Sequence, residues 1–307
     1  MTSSLRTRLA GLDLRTPLIA ASGTFGYGTE LEAIADYSGL GALTTKTVTI
    51  EPRTGNAPPR VLETPSGMLN SIGLENPGAR AFIDEKLPAL GKLGIPVFAS
   101  VAGASEGDYE KVCGMMKGNP GIAAIEVNIS CPNVKQGGQA FGANPAAAAA
   151  ITRLCRKAWA GPLIVKLTPN VTDITEIGKA VEGAGADALT AVNTFKGMAI
   201  DIRSRKPWLG AVTGGLSGPA IRPLAMRCVW ELAGAVEVPV IASGGVVAGV
   251  DAIEFIMAGA TAVAVGMATF IDPSAITRIA GEMEAWMGKN GVTCVEELVS
   301  AARRNDE

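Results

Sequence analysis

The sequence predicts a closed parallel (β/α)8 barrel, and three observations predict it. Eight short runs rich in Val, Ile, Ala and Thr recur along the chain, each closed by turn residues. Segments with helical spacing separate most of them, and the runs are nearly continuous in apolar residues, as strands covered on both faces must be. No G-x-G-x-x-G follows the first run, where a doubly wound dinucleotide-binding sheet, the alternative architecture, would carry one.

The first run, "PLIAASG" (17–23), is followed by "ELEAIADYS", whose apolar spacing predicts a helix leading to "GALTTKTVT" (41–49). The third and fourth runs are "PVFASVA" (96–102) and "AIEVNIS" (124–130), the latter breaking into Cys131, Pro132 and Asn133. Next come "LIVKLTP" (163–169), the amphipathic "DITEIGKAVEGAG", and "ALTAVNT" (188–194). "VPVIASGG" (238–245), the helical "GVDAIEFIMAGA" and "TAVAVGM" (261–267) complete the count of eight. The glycines of "GAGAD" and "AGAT" are helix stop signals placed just before a strand. Three connections, 50–95, 131–162 and 195–237, are too long for a bare helix and read as Gly/Pro/Asn-rich functional loops on one face. One domain spanning 1–307, a TIM barrel with inserted loops at the C-terminal face of the strands, accounts for the whole chain.

Composition excludes several classes of function. The 307 residues are 48% apolar and 18% charged with 38 glycines, the profile of a large core with many tight turns. A net charge of -2, with both signs scattered singly, leaves no basic stripe for nucleic acid and no polybasic membrane face. No apolar run reaches the roughly 18 residues that span a bilayer. The N-terminal "MTSSLRTRLAGLDLRTPLIA", with Asp13 inside it, leaves little room for a cleavable signal and reads as a mature start. Cys113, Cys131, Cys155, Cys228 and Cys294 lie far apart with no C-x-x-C, so no metal or cluster is expected on this chain. Their odd number points to reduced thiols and a cytoplasmic protein. The partner expected is a small molecule or another protein.

In a barrel the site forms at the C-terminal ends of the strands, and here those ends are unusually polar. Lys46 and Lys166 sit inside otherwise apolar strands, where a charge is costly unless it meets an anionic or electron-rich ligand. The glycine turns "ASGGV" and "AVGMA" after strands seven and eight, with "TGGLSGPA" at 213–220, suit a phosphate held by backbone N–H groups. Asn70, Asn128, Asn133 and Asn193 both donate and accept, as a planar heterocycle with alternating N–H and C=O groups requires. Cys131 leaves strand four into a Pro-Asn-Gly-Gly loop. The chain has no histidine, so a Cys-His pair is excluded, and Cys131 is a candidate general base or nucleophile.

The motifs "ASGTFGYG" (21–28), "TTKTVT" (44–49), "GMLNSIGLENPG" (67–78), "VNISCPNVKQGGQAFG" (127–142), "IVKLTPN" (164–170), "NTFKGMAIDIRSRKP" (193–207), "GGLSGPAIRP" (214–223), "SGGV" (243–246) and "GMATFIDP" (266–273) stand in an order that resembles dihydroorotate dehydrogenases of class 1. The resemblance implies an FMN enzyme of pyrimidine biosynthesis that oxidises (S)-dihydroorotate to orotate. It implies that Cys131 removes the proton from ring carbon 5 while hydride leaves carbon 6 for the flavin. Lys46 then contacts flavin and substrate, and Lys166 lies by the flavin pyrimidine edge. By the same resemblance Asn70, Ser71, Ile72, Gly73, Leu74, Asn128, Asn133, Asn193 and Thr194 hold the substrate. Ser22, Thr47, Ser100, Asn128, Val192, Gly218, Gly244, Gly245, Gly266 and Met267 join the two lysines around FMN. Two positions depart from the family pattern: Ser100 stands where asparagine is common, and "IASGG" replaces a more usual Gly-Met before the glycine pair.

The cysteine, and the lack of an N-terminal membrane segment, differ from class 2, whose base is serine. "NVKQGGQAFG" is similar to class 1B, which implies a second subunit bearing FAD and a [2Fe-2S] cluster that passes electrons to NAD. The implied assembly is a homodimeric core within a heterotetramer, and residues 131–142 are expected to form a lid. Three rivals make different predictions. They are a class 1A homodimer reducing fumarate, a dihydropyrimidine dehydrogenase-like enzyme, and a barrel that binds a phosphorylated ligand without redox chemistry.

Overall fold

The structure is a computed structural model that describes residues 4–130 and 141–304. Eight parallel strands close into a barrel: β1 (Leu18–Ala20), β2 (Ala42–Thr44), β3 (Val97–Val101), β4 (Ala124–Asn128), β5 (Leu163–Lys166), β6 (Ala188–Ala191), β7 (Val240–Ser243) and β8 (Ala262–Val265). Their order around the ring follows the chain, and each lies inside the run that predicts it. Six longer helices pack outside: α1 (Glu106–Met116), α2 (Pro145–Ala158), α3 (Ile174–Glu182), α4 (Arg222–Ala233), α5 (Gly249–Met257) and α6 (Ala275–Lys289).

Strand parity divides the core in two. Odd and even positions point to opposite faces, and one set, including Leu18, Leu43, Val97, Val127, Val165, Leu189 and Val263, packs with the helices in the larger cluster. The other set points into the barrel. There Ile19, Ala42, Phe98, Ala124, Ile164, Ala188, Ile241 and Ala262 form a separate apolar plug, closed underneath by Leu9 and Leu14 of the hairpin Thr7–Leu9/Leu12–Leu14. Two residues further along, the inward positions of six of the strands turn polar: Thr44, Ser100, Glu126, Lys166, Thr190 and Ser243, all buried, while Ala21 and Ala264 stay apolar. The barrel is therefore a dry column with a polar cap, and the cap faces the C-terminal ends.

Two segments differ from expectation. "ELEAIADYS" forms turns rather than a helix. Ile34 is left 65% exposed, so the segment buries no continuous apolar face, and Arg15 takes the Tyr37 and Leu40 carbonyls (2.8 and 2.5 Å). Glu30 turns back to accept from the Tyr27 and Gly28 N–H groups (2.9 and 3.0 Å). The long connections are also more ordered than loops. Strands Val61–Thr64 and Gly67–Asn70 from one, with Phe195–Gly197 and Gly214–Ser217 from another, form a four-stranded antiparallel sheet.

Helix ends follow local chemistry. Ser105 caps α1 by accepting from the Asp108 N–H (3.3 Å), and Asp108 accepts from the Ser105 N–H (3.0 Å). Ser105→Ala is expected to cost about 1 kcal/mol, read as a small drop in Tm with the cavity residues untouched.

Candidate active site

A cavity of about 840 Å³ opens at the C-terminal ends of the strands, with residues of the antiparallel sheet, among them Met68, Asn70, Gly215 and Ser217, on its wall. The polar cap reaches it through Lys166 and Ser243, with the other cap residues a layer beneath. From β1, Ser22 donates to the Thr45 carbonyl (2.7 Å) and lies 3.3 Å from Thr47 Oγ1; both side chains line the cavity. Ser100 stands one layer lower. It is fully buried with its Oγ 2.8 Å from Thr47 Oγ1, so it supports Thr47 rather than lining the wall.

Lys46 and Lys166 both reach the cavity, from strands three apart in the ring of eight. Lys166 ends β5 between Asn128 of β4 and Thr190 of β6, its register partners. Asn128 and Asn193 meet over it: Asn193 Nδ2 donates to Asn128 Oδ1 (3.4 Å), which also accepts from the Ser130 N–H (3.1 Å). Asn193 Oδ1 in turn accepts from the Thr194 N–H (2.8 Å). On the opposite wall Asn70 donates to the Gly215 carbonyl (3.4 Å), and Ser71, Ile72, Gly73 and Leu74 continue that wall. Val192, Gly218, Gly244, Gly245, Gly266 and Met267 line the remaining side. Cys131, Asn133 and most of the expected lid, residues 131–140, lie outside the described residues; Ser130, just before them, lines the cavity.

The family model described as dihydroorotate dehydrogenase matches residues 4–287. The chain belongs to the dihydroorotate dehydrogenase family. Among its relatives, the protein named "Dihydroorotate dehydrogenase B (NAD(+)), catalytic subunit" from Desulforudis audaxviator is 51% identical over 296 residues, 96% of each chain. Proteins of the same name from Pelobacter propionicus and Trichlorobacter lovleyi are 51% and 50% identical over 301 residues, covering 98% of this chain and 99% of theirs.

Dihydroorotate dehydrogenases are flavin enzymes, and the residues present fit a flavin nucleotide. The decisive feature is a pair of turns on the cavity wall where no side chain fits. Gly245 has φ +76, and a Cβ there would lie 2.8 Å from both the Gly218 carbonyl and the Arg222 side chain. Gly218 has φ +99, and its Cβ would lie 2.5 Å from Met267 Sδ. Only glycine fits where these turns pack so closely on the protein's own atoms, and with Gly244 and Gly266 they bring bare backbone to the cavity wall, as a phosphate site needs. The two lysines and the Asn128–Asn193 pair supply cations and amides of the kind a flavin ring and an anionic substrate need.

The one carboxylate of the polar cap escaped the sequence reading. Glu126 is 3% exposed, its Oε1 is 3.9 Å from Lys166 Nζ, and its Oε2 accepts from Thr190 Oγ1 (3.0 Å). The signal that singles out the lysines, a charge inside an apolar strand, applies equally to Glu126 in "AIEVN". Thr168 and Lys196, inside quoted motifs but given no role from sequence, also line the cavity, as does Asn56, which lies in none of the motifs.

The remaining cysteines lie away from the chemistry. Cys113, Cys155 and Cys228 are buried. Contact with the Cys113 thiol and burial push the Cys155 thiol far up, and burial raises that of Cys228. The thiolate is the reactive form, so Cys155 and Cys228, and Cys113 by its burial, are expected to resist a maleimide at neutral pH until the chain unfolds, as read by mass spectrometry.

Among the described residues no helix is long and apolar enough to cross a membrane, and no group of three or more His, Cys, Asp or Glu could hold a metal ion.

Proposed function

We infer that this chain is the catalytic subunit of an NAD-linked dihydroorotate dehydrogenase that oxidises (S)-dihydroorotate to orotate in pyrimidine biosynthesis. The observation that carries the reading is the convergence of Lys46, Lys166, Asn128 and Asn193 on one cavity in a chain of this family. We assign FMN as the flavin. Bound there, it would supply the acceptor for the hydride from ring carbon 6.

The chain's own residues do the rest. Gly218, Gly244, Gly245, Gly266 and Met267 would receive the phosphate through backbone N–H groups, and Ser22 and Thr47, held from below by Ser100, would face the ring system. The ammonium groups of Lys46 and Lys166 stabilise negative charge in a site where little water screens it. Asn70, Asn128, Asn193 and Thr194, with the wall from Ser71 to Leu74, would orient the substrate ring and carboxylate. Cys131 would accept the carbon 5 proton; it follows directly on Ser130 at the cavity wall. Orientation of this kind converts the proton and hydride transfers into steps between pre-aligned atoms.

The relatives' names specify a catalytic subunit and NAD(+). On that ground we propose a cytoplasmic protein with an electron-transfer partner carrying FAD and a [2Fe-2S] cluster, around a homodimeric core. The test is spectral and kinetic. The purified chain should be yellow, and dihydroorotate should bleach it without oxygen. A colourless chain, or one bleached by dihydrouracil and not by dihydroorotate, would sink the reading. Rapid turnover with fumarate by this chain alone would sink the NAD assignment.

A further inference from the structure

We propose that Glu126 is a positioning residue for Lys166, and that its carboxylate lowers the reduction potential of the flavin the cavity accepts. The inference rests on reading the cavity as a flavin site.

Glu126 stands where a carboxylate has few means of support. It points into the barrel from the middle of β4, above the apolar plug and beside buried Ser100, its register partner on β3. One oxygen is satisfied by Thr190 Oγ1. The other, Oε1, is buried without a hydrogen-bond partner, and Lys166 Nζ is 3.9 Å from it. A buried charge that is not paired is strongly disfavoured, so the lysine is what lets the carboxylate stay there. At 3.9 Å the contact is an ion pair without a hydrogen bond. That leaves the ammonium protons free to serve the cavity side, which Lys166 lines and Glu126 does not.

The arrangement has an electrostatic consequence. A lone ammonium at the cavity wall would favour the negative charge of a reduced flavin strongly, because Lys166 is only 6% exposed and its charge is little screened. With a carboxylate directly behind it, the flavin faces one charge of each sign, the positive one nearer, and the stabilisation is partial. Glu126 thus fixes the ammonium in place and limits how tightly the flavin holds its electrons. Such a limit suits a subunit whose relatives are named for delivery to NAD(+).

Glu126→Gln keeps the shape and removes the charge. In holoenzyme titrated against a reference dye, the bound flavin of this variant should be easier to reduce. The reduced-to-oxidised ratio at a fixed poise is expected to rise about tenfold, or about 30 mV for a two-electron couple. Affinity of the apoprotein for oxidised FMN should stay within a few-fold, which separates tuning from loss of structure. If Glu126→Gln does not fold, Glu126→Asp withdraws the carboxylate by one methylene and should move the potential the same way by less. If the wild type binds FMN and the folded variant shows an unmoved or lowered potential, the inference is overturned while the functional reading stays intact. A wild-type chain that binds no FMN overturns both.

Discussion

Exchanging Cys131 for alanine is expected to slow reduction of the bound flavin by dihydroorotate roughly 10²- to 10⁴-fold, the loss typical of a removed general base. The sequence contains no histidine, and the cavity wall narrows the choice further. The ionisable side chains on it are Lys46, Lys166, Lys196 and Glu75. The lysines serve better as cations than as bases, and Glu75 is held by Arg60 at 2.7 Å and is half exposed. Glu126 is close by but sits behind Lys166, off the wall. Among the described residues, then, no carboxylate or thiol is free to take a proton from the substrate, and Cys131 is the next residue after Ser130 of the wall. Anaerobic stopped-flow at the flavin absorbance gives the rate. The flavin should remain bound in the variant, since the glycine turns and both lysines are untouched. Unchanged reduction kinetics would refute the assignment of the base.

The barrel was legible because its strands are covered on both faces. Every one of the eight is a run of buried residues bounded by turn signals, and such runs announce themselves without knowledge of their neighbours. The antiparallel sheet at the cavity was not legible. Its strands "GMLN", "FKG" and "GGLS" are short and glycine-rich, without an apolar run to mark them, and Asn70 pairs with Gly215 from a distant part of the chain. Nothing local marks them as strands; the pairing itself does. "ELEAIADYS" failed for the opposite reason. Its residues favour a helix, but Ile34 finds no core to enter, and Arg15 binds the Tyr37 and Leu40 carbonyls.

Residue types out of place in the sequence lead to the cavity wall. Two lysines in apolar strands, and asparagines at strand ends, marked the cavity from sequence. Glu126 carries the same mark, and pairing it with Lys166 needs only the parity of two adjacent strands. Asn128 aligns with Lys166 across β4 and β5, and Glu126 lies two residues earlier on the same face. Ser100 shows the limit of reading by position alone. Its strand end is right, yet it is spent on Thr47 a layer beneath the wall.

Replacing Lys166 by methionine in the apoprotein is expected to cost about 3–5 kcal/mol, because it leaves the Glu126 carboxylate buried and uncompensated. For a chain of this length that lowers Tm by on the order of 5–10 °C. The size of the effect comes from what remains rather than from what is lost. Methionine fills nearly the same space as the lysine stem and restores its packing, so the lost contacts are few. Thr190 still serves Oε2, while Oε1 keeps no partner at all. The double variant with Glu126 also changed to methionine should therefore recover most of the loss, since exchanging a buried ion pair for apolar side chains is often neutral or stabilising. Calorimetry on the two apoproteins separates the cases. Equal stability of the single variant and the wild type would mean that Glu126 needs no cation to stay buried. A double variant far below wild type would mean that the pair is held by packing. A large loss restored by the second change is the signature of a charge kept in the barrel for the sake of the site above it.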